Sequence, residues 1–170
     1  MQAGKHKSIL VCLILLSPLL LGAGGSTTPV APEIHAQQWL NSEPLSIQSL
    51  RGKVTLVEFW TFGCWNCTNV EPHIKQWHEK YKDEGLTVIG VHRPEFAYER
   101  KLDNLRNYLN KHDIQYPVAV DNDSTIWHAF NNWAWPSIYL IGKKGHIRYK
   151  HVGEGSYEAT EQAIRKLLNE

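Results

Sequence analysis

VTLVEFWTFGCWNC, residues 54–67, opens with eight consecutive residues, Val54 to Thr61, that are apolar, β-branched or aromatic apart from Glu58. A run without polar alternation is the pattern of a strand covered on both faces, at the centre of a sheet. The stretch closes on Cys64 and Cys67, two cysteines with two residues between them. A helical pattern follows. Val70, Ile74, Trp77 and Tyr81 recur at intervals of four, three and four, Lys75, Glu79, Lys80 and Lys82 take the other side, and Gly85 stops it.

Further along, LSIQSLRGK (45–53) reads as a short strand and a turn closed by Gly52, and LTVIGVH (86–92) as a second buried strand. Residues 97–113 form a helix with Leu102, Leu105 and Leu109 on one face. YPVAVD supplies a third strand, residues 123–131 a short helix and SIYLIG a fourth strand. After the turn KKG, HIRYKHVG is its hairpin partner and residues 156–169 a closing helix. This order predicts an α/β protein: a mixed central sheet, parallel in its first part and antiparallel at its end, flanked by helices on both faces. Reaction sites in such sheets lie off the carboxyl ends of the parallel strands, where Cys64 falls.

With 170 residues, 42% of them hydrophobic and 21% charged, the chain suits one globular domain. Its 18 basic and 17 acidic residues form no basic patch, which argues against a nucleic-acid partner. Lys5, His6 and Lys7 precede an apolar stretch from Ile9 to Leu21 and then the small residues Gly22, Ala23, Gly24 and Gly25. Residues 1–25 therefore read as a signal peptide or a membrane anchor, the apolar part being shorter than the roughly 20 residues of a spanning helix. Either version places the domain outside a membrane, in a periplasm or on the outer face. Residues 26–38 read as a linker, opening with the Pro-, Ser- and Thr-containing STTPVAPEIHA, and 39–170 as the folded domain. Cleavage near Gly25 removes Lys5, Lys7 and Cys12, leaving 16 basic against 17 acidic residues and Cys64 and Cys67 as the remaining thiols, where disulfides persist.

A helix amino terminus offers unpaired N–H groups and the positive end of a macrodipole, and both lower the pKa of a thiol placed there. Cys64 is thus the candidate nucleophile, and Cys67, one turn further in, the shielded thiol that attacks a mixed disulfide on Cys64. A zinc site needs four ligands, and His73 and His78 point progressively away from the helix start. An inert bridge over so short a loop staples almost nothing. Redox exchange is the favoured reading, with no metal and no cofactor.

The strand VTLVEFW, the CWNC motif, Pro72 in the following helix and the WPS of residues 135–137 together resemble a thioredoxin-fold oxidoreductase of the extracytoplasmic TlpA/ResA-like branch. Residues 64–99 look most like the thioredoxin-like domain of the DipZ type, which is normally fused behind a CcdA-like membrane electron carrier. The resemblance covers roughly residues 40–169. It implies a thioredoxin-like fold and a protein-disulfide oxidoreductase with Cys64 as nucleophile and Cys67 as resolving thiol. Glu58 matches the buried acid that takes or returns the resolving thiol's proton; a lone carboxylate in an apolar strand is costly without such a role. Pro136 matches the cis-proline facing the disulfide, and a proline that cannot donate a ladder hydrogen bond belongs at a strand entrance. The Trp135 backbone would then pair with an extended substrate segment.

His92, Arg93 and Glu95 follow the second strand on the rim that carries Cys64, so His92 is a candidate for lining the substrate groove. Trp60, Trp65, Trp133 and Trp135 are candidates for an apolar collar around the dithiol. The resemblance further implies protein disulfide or thiol substrates, a membrane electron donor of CcdA/DsbD-like type, a reducing role that includes cytochrome c biogenesis, and a monomer. Two other chemistries stay open. TFGC (61–64) fits the TxxC fragment of thiol peroxidases, in which Cys64 forms a sulfenic acid, although the proline such enzymes carry nearby has no counterpart between Val57 and Trp60. Both thiols with a histidine also suit a non-catalytic copper or zinc carrier.

Overall fold

The computed structural model describes residues 1–2 and 28–170. The signal or anchor expected over 1–25, with Cys12, lies outside the described residues but for its first two positions. Among the described residues, no helix is long and apolar enough to cross a membrane.

The strand β1 spans Gln38–Leu40, β2 Val54–Trp60, β3 Leu86–His92, β4 Val118–Val120, β5 Ser137–Ile141 and β6 Ile147–Val152. They form one sheet in the order β1-β4-β3-β2-β5-β6. β2 is buried at every position, as its unbroken apolar run requires. It pairs in parallel with β3, which pairs in parallel with β4, and antiparallel with β5, which forms the hairpin with β6. At Gly90 of β3 a Cβ would meet the Trp60 indole nitrogen and the Tyr116 ring, so glycine is what lets both pack there.

Helix α1 (Trp65–Tyr81) starts directly after Cys64 and runs through Pro72, burying Cys67, Val70, Glu71, Ile74, Trp77 and Tyr81. With α2 (Leu102–Lys111) and α4 (Tyr157–Leu168) it covers one face of the sheet, against Val54, Leu56 and Trp60 of β2. The other face, carrying Val57 and Phe59, is covered by α3 (Thr125–Ala129) together with Ile34, Ile47 and Leu50.

Three segments differ from expectation. The helix foreseen over 97–113 is a 3-10 turn, Ala97–Arg100, followed by α2, because Lys101 takes an extended backbone (φ −76°, ψ 117°) between them. The strand foreseen in 45–53 is instead a turn structure in which Leu50 N–H bonds the Ser46 carbonyl at 3.2 Å. Its buried residues, Ile47 and Leu50, are three apart, a helical spacing and not an alternating one. The edge strand is β1, antiparallel to β4. The segment read as a linker is partly packed: Val30 bridges His146, Ala31 and Ile34 are buried, and Glu33 accepts the Ile47 N–H at 2.8 Å.

Candidate active site

Cys64 and Cys67 are joined by a disulfide with Cα atoms 5.3 Å apart, just beyond the carboxyl end of β2. Cys64 is the N-cap of α1, with extended backbone, and its Sγ accepts the Cys67 N–H at 3.3 Å. The N–H of the third helical residue, one of the free donors of the helix start, therefore points at the sulfur that would carry charge in the reduced protein. Cys64 is half-buried and Cys67 buried, matching the unequal access that exchange chemistry needs. The Cys64 N–H returns to the Thr61 carbonyl at 3.3 Å, closing a turn over residues 61–64.

Glu58 projects from β2 to the same face as Leu56 and Trp60, the face in which Cys67 is buried. It is 2% exposed. Burial, and next the charge of Glu71, push its carboxyl up to about 8, against an opposing hydrogen bond from the Tyr116 hydroxyl. At neutral pH it is mostly the uncharged acid, a proton donor, with a carboxylate fraction that grows toward pH 8 and can take a proton. Glu71, four residues after Cys67 on α1, lies under the same face: its oxygens accept the Tyr108 hydroxyl at 2.8 Å and sit 3.1 Å from His112 Nδ1. The Tyr108 ring stacks on His112 at 3.8 Å and on Phe62 at 5.4 Å.

The Trp135–Pro136 peptide bond is cis. Since Ser137 pairs with Phe59, Pro136 falls beside the last residue of β2, at the end of the sheet that carries the dithiol. Trp135 packs against Trp127 with ring centroids 4.6 Å apart, and the Arg93 guanidinium lies over both rings. The tryptophans divide: Trp60 is core, Trp135 is half-buried, and Trp65 (78%), directly after Cys64, and Trp133 (72%) are exposed. Only those three can contribute to a collar.

His92 does not line a groove. As the last residue of β3 it turns inward, is fully buried and lies beneath the site, with Nε2 3.3 Å from Thr61 Oγ1 and its ring stacked under Phe62 at 5.4 Å. Burial lowers its pKa to about 4 despite the nearby charge of Glu99, so the ring is neutral. The strand ends at His92 as foreseen, and its alternation turns that last side chain to the face that carries Glu58 and Trp60. Thr61 is thereby engaged with His92 and not with Cys64, which removes the hydroxyl partner that the TxxC peroxidase reading needs.

Sequence reading missed Glu99. Although it sits in a connecting segment it is 1% exposed, and it accepts the Gly63 N–H at 2.6 Å, the Glu95 N–H at 2.6 Å and the Phe96 N–H at 2.7 Å. It was legible only as the acid of a PEFAYE stretch, with no periodic pattern to mark it as buried.

A family model described as the AhpC/TSA family matches residues 28–150. The chain is 44% identical over 135 residues to the protein DipZ of Mycobacterium tuberculosis, a match covering 78% of this chain and 19% of that one, so it spans about a fifth of that relative. It is 30% identical over 140 residues to the thiol-disulfide oxidoreductase YkuV of Bacillus subtilis, covering 82% of this chain and 94% of that one. Among solved structures, a thiol-disulfide isomerase from Corynebacterium glutamicum superposes with a TM-score of 0.75 at 28% identity, covering 85% and 98% of the two chains.

Proposed function

Since the chain belongs to the AhpC/TSA family, as a thiol-disulfide oxidoreductase of the thioredoxin fold and TlpA/ResA-like kind, we propose that it reduces disulfides of exported proteins outside a membrane. The observation that carries this is the arrangement at the head of α1: a half-exposed Cys64 facing a helix N–H, with Cys67 buried behind it on the face that holds Glu58.

In the reduced protein the Cys64 thiolate attacks one sulfur of a substrate disulfide, forms a mixed disulfide and releases the other sulfur as a thiolate. The ionised fraction of Glu58, minor at neutral pH and about half at pH 8, takes the proton from Cys67. The Cys67 thiolate then attacks Cys64 Sγ, expels the second substrate sulfur and closes the Cys64–Cys67 disulfide, so that two electrons pass to the substrate. Trp135 and Pro136 offer the edge along which an extended substrate segment lies, with Trp65 beside it. Cys64 is half-exposed beside the exposed Trp65, an access that suits a protein substrate.

We further propose a membrane carrier of the CcdA/DsbD type as electron donor, apocytochrome c among the acceptors and a monomer as the working form. Cys67→Ala tests the core of the reading. The reduced variant should accumulate mixed disulfides through Cys64, identifiable by mass spectrometry, whereas the wild type accumulates none. A variant that keeps a reactive Cys64 and captures no protein overturns the assignment. A reduction potential well above that of glutathione would reverse the direction of electron flow.

A further inference from the structure

Glu99 is the one buried carboxylate that touches the turn presenting the nucleophile, and the exchange reading above gives it no part. One oxygen is committed to the N–H of Gly63, the residue before Cys64, and the other to the N–H groups of Glu95 and Phe96. Three N–H donors converging on two oxygens is the set that an ionised, acceptor-only carboxylate satisfies. Among the described residues it makes no ion pair. The fit extends to the turn: a Cβ on Gly63 would collide with this carboxylate and with the Tyr98 hydroxyl, so the turn and the segment 95–101 are shaped to each other.

We propose that Glu99 is a positioning residue of the thiol–disulfide exchange, holding the Thr61–Cys64 turn and, as a fixed negative charge one peptide unit from the nucleophile, biasing the couple toward its disulfide form. The inference rests on the exchange reading. In the half-reaction Cys64 and Cys67 lose two electrons and two protons as their S–S bond forms, and a substrate disulfide gains them as two thiols. A negative charge beside Cys64 opposes its thiolate, against the Cys67 N–H and the helix start that favour it. Destabilising the thiolate weakens the reduced form and makes it the better electron donor, the opposite of strong oxidants, whose reduced form is stabilised.

The other titratable or charged groups around the turn leave that charge standing. Glu58 below it is mostly uncharged at neutral pH, and His92 is neutral. Arg93 is spent over the rings of Trp127 and Trp135, 5.0 and 4.8 Å from their centroids, and on Ser124 at 3.0 Å.

The test compares Glu99→Gln and Glu99→Asp with the wild type in the full chain, by equilibration with glutathione and by titration of the Cys64 thiolate absorbance. Glu99→Gln should move the equilibrium about tenfold toward the dithiol, about 30 mV for a two-electron couple, and lower the Cys64 pKa. Glu99→Asp, which keeps the charge, should recover most of that shift even where it lowers the melting temperature, an outcome a purely structural role does not give. A folded Glu99→Gln protein with unchanged equilibrium and thiol pKa overturns the proposal. Should that variant not fold, the wild type decides it: at constant pH the 13C resonance of the labelled Glu99 carboxylate must move when Cys64 passes from disulfide to thiolate, and an unmoved resonance overturns the proposal. Trapping by Cys67→Ala does not depend on Glu99, so failure here leaves the exchange reading intact.

Discussion

At Glu58 a carboxyl group is held in apolar surroundings, and the fold bears the cost only when that group ionises. The folded pKa of about 8 lies above the ordinary 4.5, so its contribution to stability is complete below pH 4.5 and is lost as pH rises toward 8. Relative to the wild type, Glu58→Gln should therefore gain stability across that window, by an amount of order 4 kcal/mol at its upper end, read from urea unfolding of the oxidised proteins at several pH values. The same variant should slow release of substrate from the mixed disulfide, because Cys67 loses its proton acceptor. Cys64, Cys67, Glu58 and Pro136 were legible in sequence because each breaks a local rule: a charge in an apolar strand, a proline at a strand entrance, paired thiols at a helix start. Glu99 breaks none, since an acid in a connecting segment is ordinarily solvated, and its burial comes from three backbone groups that no pattern announces. His92 was misplaced for a related reason: the strand ends where the sequence put it, but no pattern says whether its last side chain faces the core or the rim.

Between elements, the contact of α1 with α2 carries a polar group of its own. Glu71, Tyr108 and His112 join the two helices under the site, next to the Glu58–Tyr116 pair. The Glu71 charge holds the Glu58 pKa up, so Glu71→Gln should bring it down from about 8 and move the acid limb of the resolving step to lower pH, measurable by 13C titration of Glu58 and by the pH profile of exchange. Tyr108→Phe removes a hydrogen bond to a carboxylate and should cost about 1.5–3 kcal/mol in urea unfolding. The sequence located most of the elements because β2 and β3 are uniformly apolar and α1 is strictly periodic. It failed at Lys101 and in 45–53, where a single extended residue and a compact turn leave the spacing of apolar residues unchanged.

On the scale of the molecule, the sheet separates two cores, and the segment 30–34 belongs to the one opposite α1. A chain beginning at Gln37 loses the buried side chains of Ala31 and Ile34 and the Val30–His146 bridge, and should be about 2–3 kcal/mol less stable than one beginning at Thr28, with exchange activity retained where it folds. Composition made residues 26–36 look like a tether because Pro, Ser and Thr outnumber the buried Ala31 and Ile34 there. The bridge also fixes an orientation. Ala31 N–H bonds the Gly145 carbonyl, and Gly52, just ahead of β2, bonds Lys143 in the same turn region, so the polypeptide enters at the starting end of β2 while Cys64 lies past its far end. Seven residues of strand set these ends about 20 Å apart. A leash ahead of Val30 would aim the sulfurs away from the surface to which it is fastened, and to meet a donor embedded there the whole body would have to somersault.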